Sequence, residues 1–200
     1  YLKTRWQKSC EILKILFKTA NLISSLRFFF LYICTTKSCN MFVDYTSISN
    51  DAKVWVYPSD RKFYSTEIDE IEKKIKKFAE NWKLEDENFK VSYRFLYNRF
   101  IILVADDSET TLTNADIDTS VSFILQLQET YKVNLLDKMN VCFKQGEYVQ
   151  YKELKDFKKL VKNKAVTAKT IIFDNLINNK EDLENYWEIT IEDSWYNRYL

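Results

Sequence analysis

A chain of 200 residues with one glycine and one proline cannot build any structure that depends on a glycine-rich loop. P-loops and dinucleotide-binding turns need several glycines, so that backbone N–H groups can approach phosphate closely. With Gly146 alone, neither G-x-x-x-x-G-K-[ST] nor G-x-G-x-x-G exists here. Histidine is absent, which removes the usual general base near neutral pH, together with Ser-His-Asp triads, Cys-His pairs and His-ligated zinc. The shortage of Gly and Pro accompanies 14 Phe, 13 Tyr and abundant Lys, Asn and Ile. Those residues have AT-rich codons, so the bias reads as that of an AT-rich bacterial genome, not as a functional device. The remaining mixture, 46% hydrophobic and 30% charged, is that of a globular domain large enough to bury a core without staples.

Charge divides the chain. Residues 1–40 hold seven basic residues against Glu11, whereas residues 41–200 hold 23 basic and 28 acidic ones. Leu22 to Cys34 is an apolar run interrupted by Arg27, too short for a membrane span and followed by no small-residue cleavage site. Leu31-Tyr32-Ile33-Cys34 matches a lipoprotein box only loosely. Met41 is the first methionine, and ordered patterning starts there. Residues 1–40 are therefore expected to be an upstream-translated or unstructured basic extension, and residues 41–200 a single domain. A membrane role would arise only if residues 1–40 were a genuine targeting segment. The four cysteines, Cys10, Cys34, Cys39 and Cys142, form no C-x-x-C pair. Cys142 reads as a buried reduced thiol on a strand, which favours a reducing, cytoplasmic compartment.

Patterning from Met41 onward predicts an α+β domain. Val54–Tyr57 is a strand closed by Pro58. Ser65 or Thr66 caps a helix whose apolar stripe is Ile68, Ile71, Ile75, Phe78, Ala79 and Trp82. Strands follow at 89–96 and 99–105 around Tyr97-Asn98. Asp116 or Asp118 caps a second helix, with Val121, Ile124, Leu125 and Tyr131 facing inward. Gln145-Gly146 supplies the positive φ of a hairpin between strands at 141–143 and 148–151. Leu154, Phe157, Leu160 and Val161 mark a third helix. Strand 170–173 and a helical turn over 182–187 complete the order. The first six elements match the ferredoxin-like βαββαβ pattern. The expectation is a mixed or antiparallel sheet with helices packed on one face and a C-terminal hairpin and helix extension.

Residues 41–200 also resemble a family of small, uncharacterised Bacteroidetes proteins often labelled "ABC transporter ATPase". The resemblance rests on Val54-Trp55-Val56-Tyr57, Tyr97-Asn98-Arg99-Phe100, Ile117-Asp118, Leu135 to Val141, Asp156-Phe157-Lys158-Lys159, Phe173-Asp174-Asn175-Leu176 and Glu192-Asp193-Ser194-Trp195. The residues contradict the label as chemistry. Ile101 to Asp107 imitates a Walker B strand, but the Walker A loop and the glycine-rich signature are missing. The family pattern has a Ser-Gly-Cys run where Asn114-Ala115-Asp116 stands, and a histidine where Tyr196 stands.

Three candidate sites follow from the residues. Asp106, Asp107 and Asp118, with Asp116, Asp137 and Asp174 nearby in the pattern, could hold Mg²⁺ through oxygen ligands and support phosphoester or nucleotide hydrolysis. Against this, Asp is a common helix cap and turn residue. Trp55, Tyr57, Tyr93, Phe95, Tyr97 and Phe100, with Arg94 and Arg99, could form a sheet that stacks single-stranded RNA. The acidic balance of the domain makes nucleic acid an unexpected partner, and aromatics on strands are usually core. The C-terminal run from Trp187, with Trp195, Tyr196 and Tyr199, could dock on another protein or fold back on its own domain. The leading expectation is a non-catalytic interaction or regulatory domain with no cofactor. The alternatives are a Mg²⁺-dependent hydrolase and an RNA-binding sheet.

Overall fold

The computed structural model describes residues 41–82, 89–108, 111–137 and 139–200; the expected 1–40 extension lies outside the described residues. The described residues form an α+β fold. Strands β1 (Met41–Phe42), β2 (Lys53–Pro58), β3 (Lys90–Leu96) and β4 (Phe100–Asp106) make one sheet in the order β1-β3-β4-β2. Strands β5 (Val141–Gln145), β6 (Tyr148–Lys152), β7 (Ile171–Phe173) and β8 (Glu188–Thr190) make a second, in the order β6-β5-β7-β8. The helices are α1 (Ser65–Asn81), α2 (Asn114–Tyr131), α3 (Leu154–Lys162) and α4 (Lys180–Asn185), with 3₁₀ turns at Tyr45–Ser47 and Trp195–Tyr199.

Side-chain alternation along the strands sorts the core into three layers. Trp55 and Tyr57 of β2, with Ile101, Leu103 and Ala105 of β4, pack under α1 and α2 against Ile71, Ile75, Ile124 and Leu127. The alternate residues, Val54, Val56, Phe100, Ile102 and Val104, face Cys142 of β5 and Phe173 of β7. The other face of the second sheet, Val141, Phe143 and Ile172, is covered by Phe157 and Val161 of α3 and by Tyr196. The result is helix, sheet, sheet, helix. A strand contributes to two layers only because successive side chains point to opposite faces.

The α+β expectation holds, but the ferredoxin-like topology is not confirmed. β2 and β3 each pair antiparallel with β4, and α1 connects them, so β2-α1-β3 straddles β4. The strand needed to complete a ferredoxin-like sheet, β5, does not join it. β5 pairs with β6 and β7, while the outer edge of β2 is met by the 178–180 segment through Val54 N–H to Asn178 O at 2.9 Å and Lys180 N–H to Ala52 O at 3.0 Å. β5 belongs between layers because Val141, Cys142 and Phe143 are consecutive, apolar and all buried. The C-terminal extension is thus a sheet in its own right. Helices cover one face of each sheet: α1 and α2 lie on the first sheet, α3 on the second.

The helix ends depart slightly from expectation. α1 starts after Tyr64, whose N–H donates to Glu67 Oε2 at 2.8 Å, and Arg61 grips both oxygens of the same carboxylate at 2.9 Å. The bidentate contact holds the Glu67 carboxyl below its usual range, with the Arg61 hydrogen bonds as the chief cause. The stripe of α2 is Ser120, Ile124, Leu127 and Tyr131, and Leu125 is exposed. Val121 and Leu125 lie about 100° further round the helix than Ser120 and Ile124.

A chain with so few glycines must place left-handed backbone on other residues. Gly146 turns the β5–β6 hairpin at φ 58°, but Tyr97, Asn98, Lys132 and Lys164 also have φ between 50° and 55°. Lys164 closes α3 in a Schellman arrangement: its N–H donates to Val161 O and the Ala165 N–H to Leu160 O, both at 2.9 Å. Its side chain is exposed, so nothing beyond the backbone opposes glycine there. Lys164→Gly is expected to raise stability by about 0.5–1 kcal/mol, read as a higher denaturation midpoint with an unchanged slope.

Candidate functional site

Structural duties account for most of the acidic residues singled out in the sequence. Asp116 is buried at the start of α2. Its Oδ2 accepts from Thr113 N–H at 2.8 Å and Thr113 Oγ1–H at 2.7 Å, and its own N–H donates to Thr113 Oγ1 at 3.3 Å. Thr113 is therefore the cap and Asp116 its capping-box partner. Asp106, at the buried end of β4, accepts from Ser108 N–H at 3.2 Å. Asp107 is 2.5 Å from Lys53 Nζ. Asp118 is exposed on α2, and Ser122 donates to its backbone carbonyl. Asp137 accepts from Met139 N–H and Asn140 Nδ2, and Asp174 from Leu176 N–H, all local turn bonds. Among the described residues, no three Asp, Glu, His or Cys side chains gather closely enough to hold a metal ion.

The aromatic candidates divide between the layers. Trp55, Tyr57, Tyr93 and Phe95 lie in the core beneath α1 and α2, so that sheet face is covered. Arg99 is buried, with its guanidinium donating to Ser59 O at 2.8 Å, and burial pulls its pKa below the usual arginine value. Cys142 is buried, and desolvation pushes its thiol up to about 12, so it is a packing residue. Tyr196 is buried against Phe157, with ring centroids 5.5 Å apart. Trp195 is half-buried, beneath the Arg198 guanidinium at 4.8 Å. The C-terminal run folds back on its own domain.

Arg94 has a different setting. It projects from β3 on the side opposite Tyr93 and Phe95, into a cleft of about 580 Å³ lined by Tyr45, Leu96, Tyr97, Leu183, Glu184, Trp187 and Glu188. The walls come from separate elements, each fixed in place. Tyr45 starts a 3₁₀ turn capped by Asp44, which accepts from Thr46 N–H at 3.0 Å. Lys180, buried at the start of α4, donates to Ile48 O at 3.0 Å and Asn50 Oδ1 at 3.2 Å. These bonds clamp α4, and with it Leu183 and Glu184, to the loop that carries Tyr45. Trp187 donates its indole N–H to Asn175 Oδ1 at 3.3 Å and packs on Phe100 and Phe173 at 4.9 Å.

Tyr97 is the strained member. A bulky residue rarely adopts φ 55°, and the three-residue loop 97–99 carries positive φ at both Tyr97 and Asn98, where Asn or Gly is favoured. Its ring is held edge-on against Phe173 at 5.3 Å, and its hydroxyl donates to Glu188 Oε1. Lys144 donates to the other Glu188 oxygen and lies 5.1 Å from the Tyr97 ring centroid. Backbone strain of this sort persists only where surrounding contacts over-determine it, and it concentrates at functional sites.

Sequence reading singled out Arg94, Tyr97 and Trp187 but not Tyr45, Leu183, Glu184 or Glu188. These come from positions up to 143 residues apart, and Glu184 and Glu188 sit on different elements, α4 and β8, so no local spacing signals the site. No protein-family model, no curated protein and no solved structure matches this chain.

Asp116→Ala is expected to lower stability by about 1–2 kcal/mol in denaturant titration, and Asp118→Asn to change it by less than about 0.5 kcal/mol. Under native conditions at pH 8, peptide mapping should find the Cys142 thiol unlabelled by an alkylating reagent, with full labelling once the chain is unfolded.

Proposed function

We propose that residues 41–200 act as a non-catalytic, cytosolic interaction or regulatory domain, grouped with the small Bacteroidetes proteins it resembles, and that its working surface is the Arg94 cleft. The observation that carries this reading is the lining of that cleft. Aromatic rings, two leucines, one arginine and two glutamates from four parts of the chain converge there and leave room for a ligand. Such a surface recognises shape and charge, and its volume lies within the roughly 300–1,000 Å³ range of small-molecule sites. A cytosolic setting agrees with the reduced thiol at Cys142. Among the described residues, no helix is long and apolar enough to cross a membrane.

A Mg²⁺-dependent hydrolase built on Asp106, Asp107 and Asp118 has less support, because Lys53 engages Asp107 and Asp118 points from an exposed helical position. An RNA-binding sheet has less support because helices cover the aromatic face. Mg²⁺ and ATP, titrated separately into the protein at millimolar concentration, are expected to leave the melting temperature unchanged. A ligand of the folded state at a hundredfold excess over its Kd would add about 2.7 kcal/mol. A rise with either ligand that Asp106→Asn abolishes would overturn the non-catalytic reading.

A further inference from the structure

The charges around the cleft do not cancel. Both oxygens of Glu188 are engaged, one by the Tyr97 hydroxyl and the other by Lys144. Glu184 lies 3.7 Å from the buried ammonium of Lys180. Arg94 has no carboxylate within ion-pair distance among the described residues; its contact is with the Tyr45 ring, whose centroid is 4.8 Å from the guanidinium carbon. The Tyr45 ring is thus flanked by two cations, since Lys180 Nζ is 5.1 Å from the same centroid. One cation has a carboxylate partner and the other does not.

The Tyr45 hydroxyl supplies a second, independent observation. It is shielded from solvent yet has no hydrogen-bond partner. Arg94 and Glu184 both stand beside it and bias its ionisation, Glu184 upward and Arg94 downward, and burial is the chief cause that raises it to about 12. Buried polar groups are nearly always satisfied, so a hydroxyl with no well-formed hydrogen bond, beside a cation with no carboxylate, sets this wall of the cleft apart.

We infer that the cleft binds a small organic monocarboxylate with a flat apolar body, its carboxylate held by Arg94 and its body against Tyr45, Tyr97, Trp187, Leu96 and Leu183. The planar guanidinium fork matches a carboxylate bidentately. A single negative charge suits the single unpaired cation. A doubly charged phosphate would leave one charge unmatched and facing Glu184 and Glu188. The flat body follows from the walls, since aromatic faces take planar groups by offset or edge-on stacking. This inference rests on the proposal that the cleft is the working surface.

The test uses three probes that share one body and differ in charge: 3-phenylpropionate, 3-phenylpropan-1-ol and 3-phenylpropylammonium. Each is titrated into the full chain while the Trp187 indole N–H is followed by NMR. The expected result is that the carboxylate shifts that resonance at millimolar concentration or below. The alcohol should bind about tenfold more weakly, the size of one charge-assisted hydrogen-bonding pair. The ammonium should not bind. Arg94→Gln should weaken the carboxylate by about tenfold or more, while Lys73→Gln, an exposed charge on α1, leaves it within about twofold. Arg94 is exposed, so its replacement should leave the fold intact, which the unshifted remainder of the spectrum verifies. Stronger binding by the ammonium, or indifference of the carboxylate to Arg94→Gln, would overturn the charge assignment but leave the cleft as a binding surface. No shift of Trp187 with any probe would overturn both the ligand class and the cleft reading.

Discussion

All seven side chains of β4, Phe100 to Asp106, are buried, and a strand can bury consecutive side chains only if a layer covers each face of its sheet. One layer is α1 and α2. The other is the second sheet, drawn in by Phe100, Ile102 and Val104, which need apolar partners and find Cys142 and Phe173. Every later element answers the same demand. The second sheet exposes a new apolar face of its own, and α3 with the C-terminal turn covers that. Four layers follow from one strand that has no polar face. Truncating Phe100 would therefore open both a sheet-to-sheet contact and the packing beneath Trp187, whose ring stands 4.9 Å away.

The scarcity of glycine shapes the turns. At the ends of α2 and α3 the left-handed positions fall on Lys132 and Lys164, exposed residues that bear a local cost of roughly 1 kcal/mol each. At the β3–β4 hairpin they fall on Tyr97 and Asn98, and here the side chain returns something for the strain. Tyr97 packs between the sheets' ends against Phe173 and reaches Glu188 across the cleft. A glycine at the same place would relax the backbone but remove the contact that joins the first sheet's hairpin to β8. The Tyr97-Asn98 turn is thus the point where the fold's turn chemistry and the geometry of the cleft meet.

Local patterning made much of this fold legible. The α1 stripe, the β3–β4 pair around Tyr97-Asn98 and the Gly146 turn are short-range signals, and each appears where periodicity and turn chemistry put it. What was not legible depends on pairing between distant segments. β5 reads as the next strand of a ferredoxin-like order, yet Val141-Cys142-Phe143 is apolar on both faces and finds its two covers only between layers. The α2 cap shifted for a local reason. Asp116 looked like a cap because it is acidic and near the start of the helix, but Thr113 three residues earlier completes a reciprocal box with it. For the candidate site, Arg94 was visible as a charge among strand aromatics. Its meaning was not, because the carboxylates of the cleft, Glu184 and Glu188, lie about ninety residues later and have lysines of their own beside them, Lys180 and Lys144.

The cleft owes its charge to a division of labour among cations rather than to an excess of them. Lys180 is spent on anchoring: a buried ammonium must be hydrogen-bonded, and Ile48 O and Asn50 Oδ1 supply the acceptors, so it fixes α4 to the Tyr45 loop. Lys144 is spent on Glu188, which in turn holds the Tyr97 hydroxyl and so the hairpin. These two commitments build the walls; Glu188 is taken up by Lys144, and Glu184 lies 3.7 Å from Lys180. Arg94 is left with the Tyr45 ring and no carboxylate among the described residues. In a domain whose sequence from residue 41 onward is acidic on balance, this cation, standing over an aromatic ring at the mouth of the cleft, is the group that the proposed carboxylate would engage.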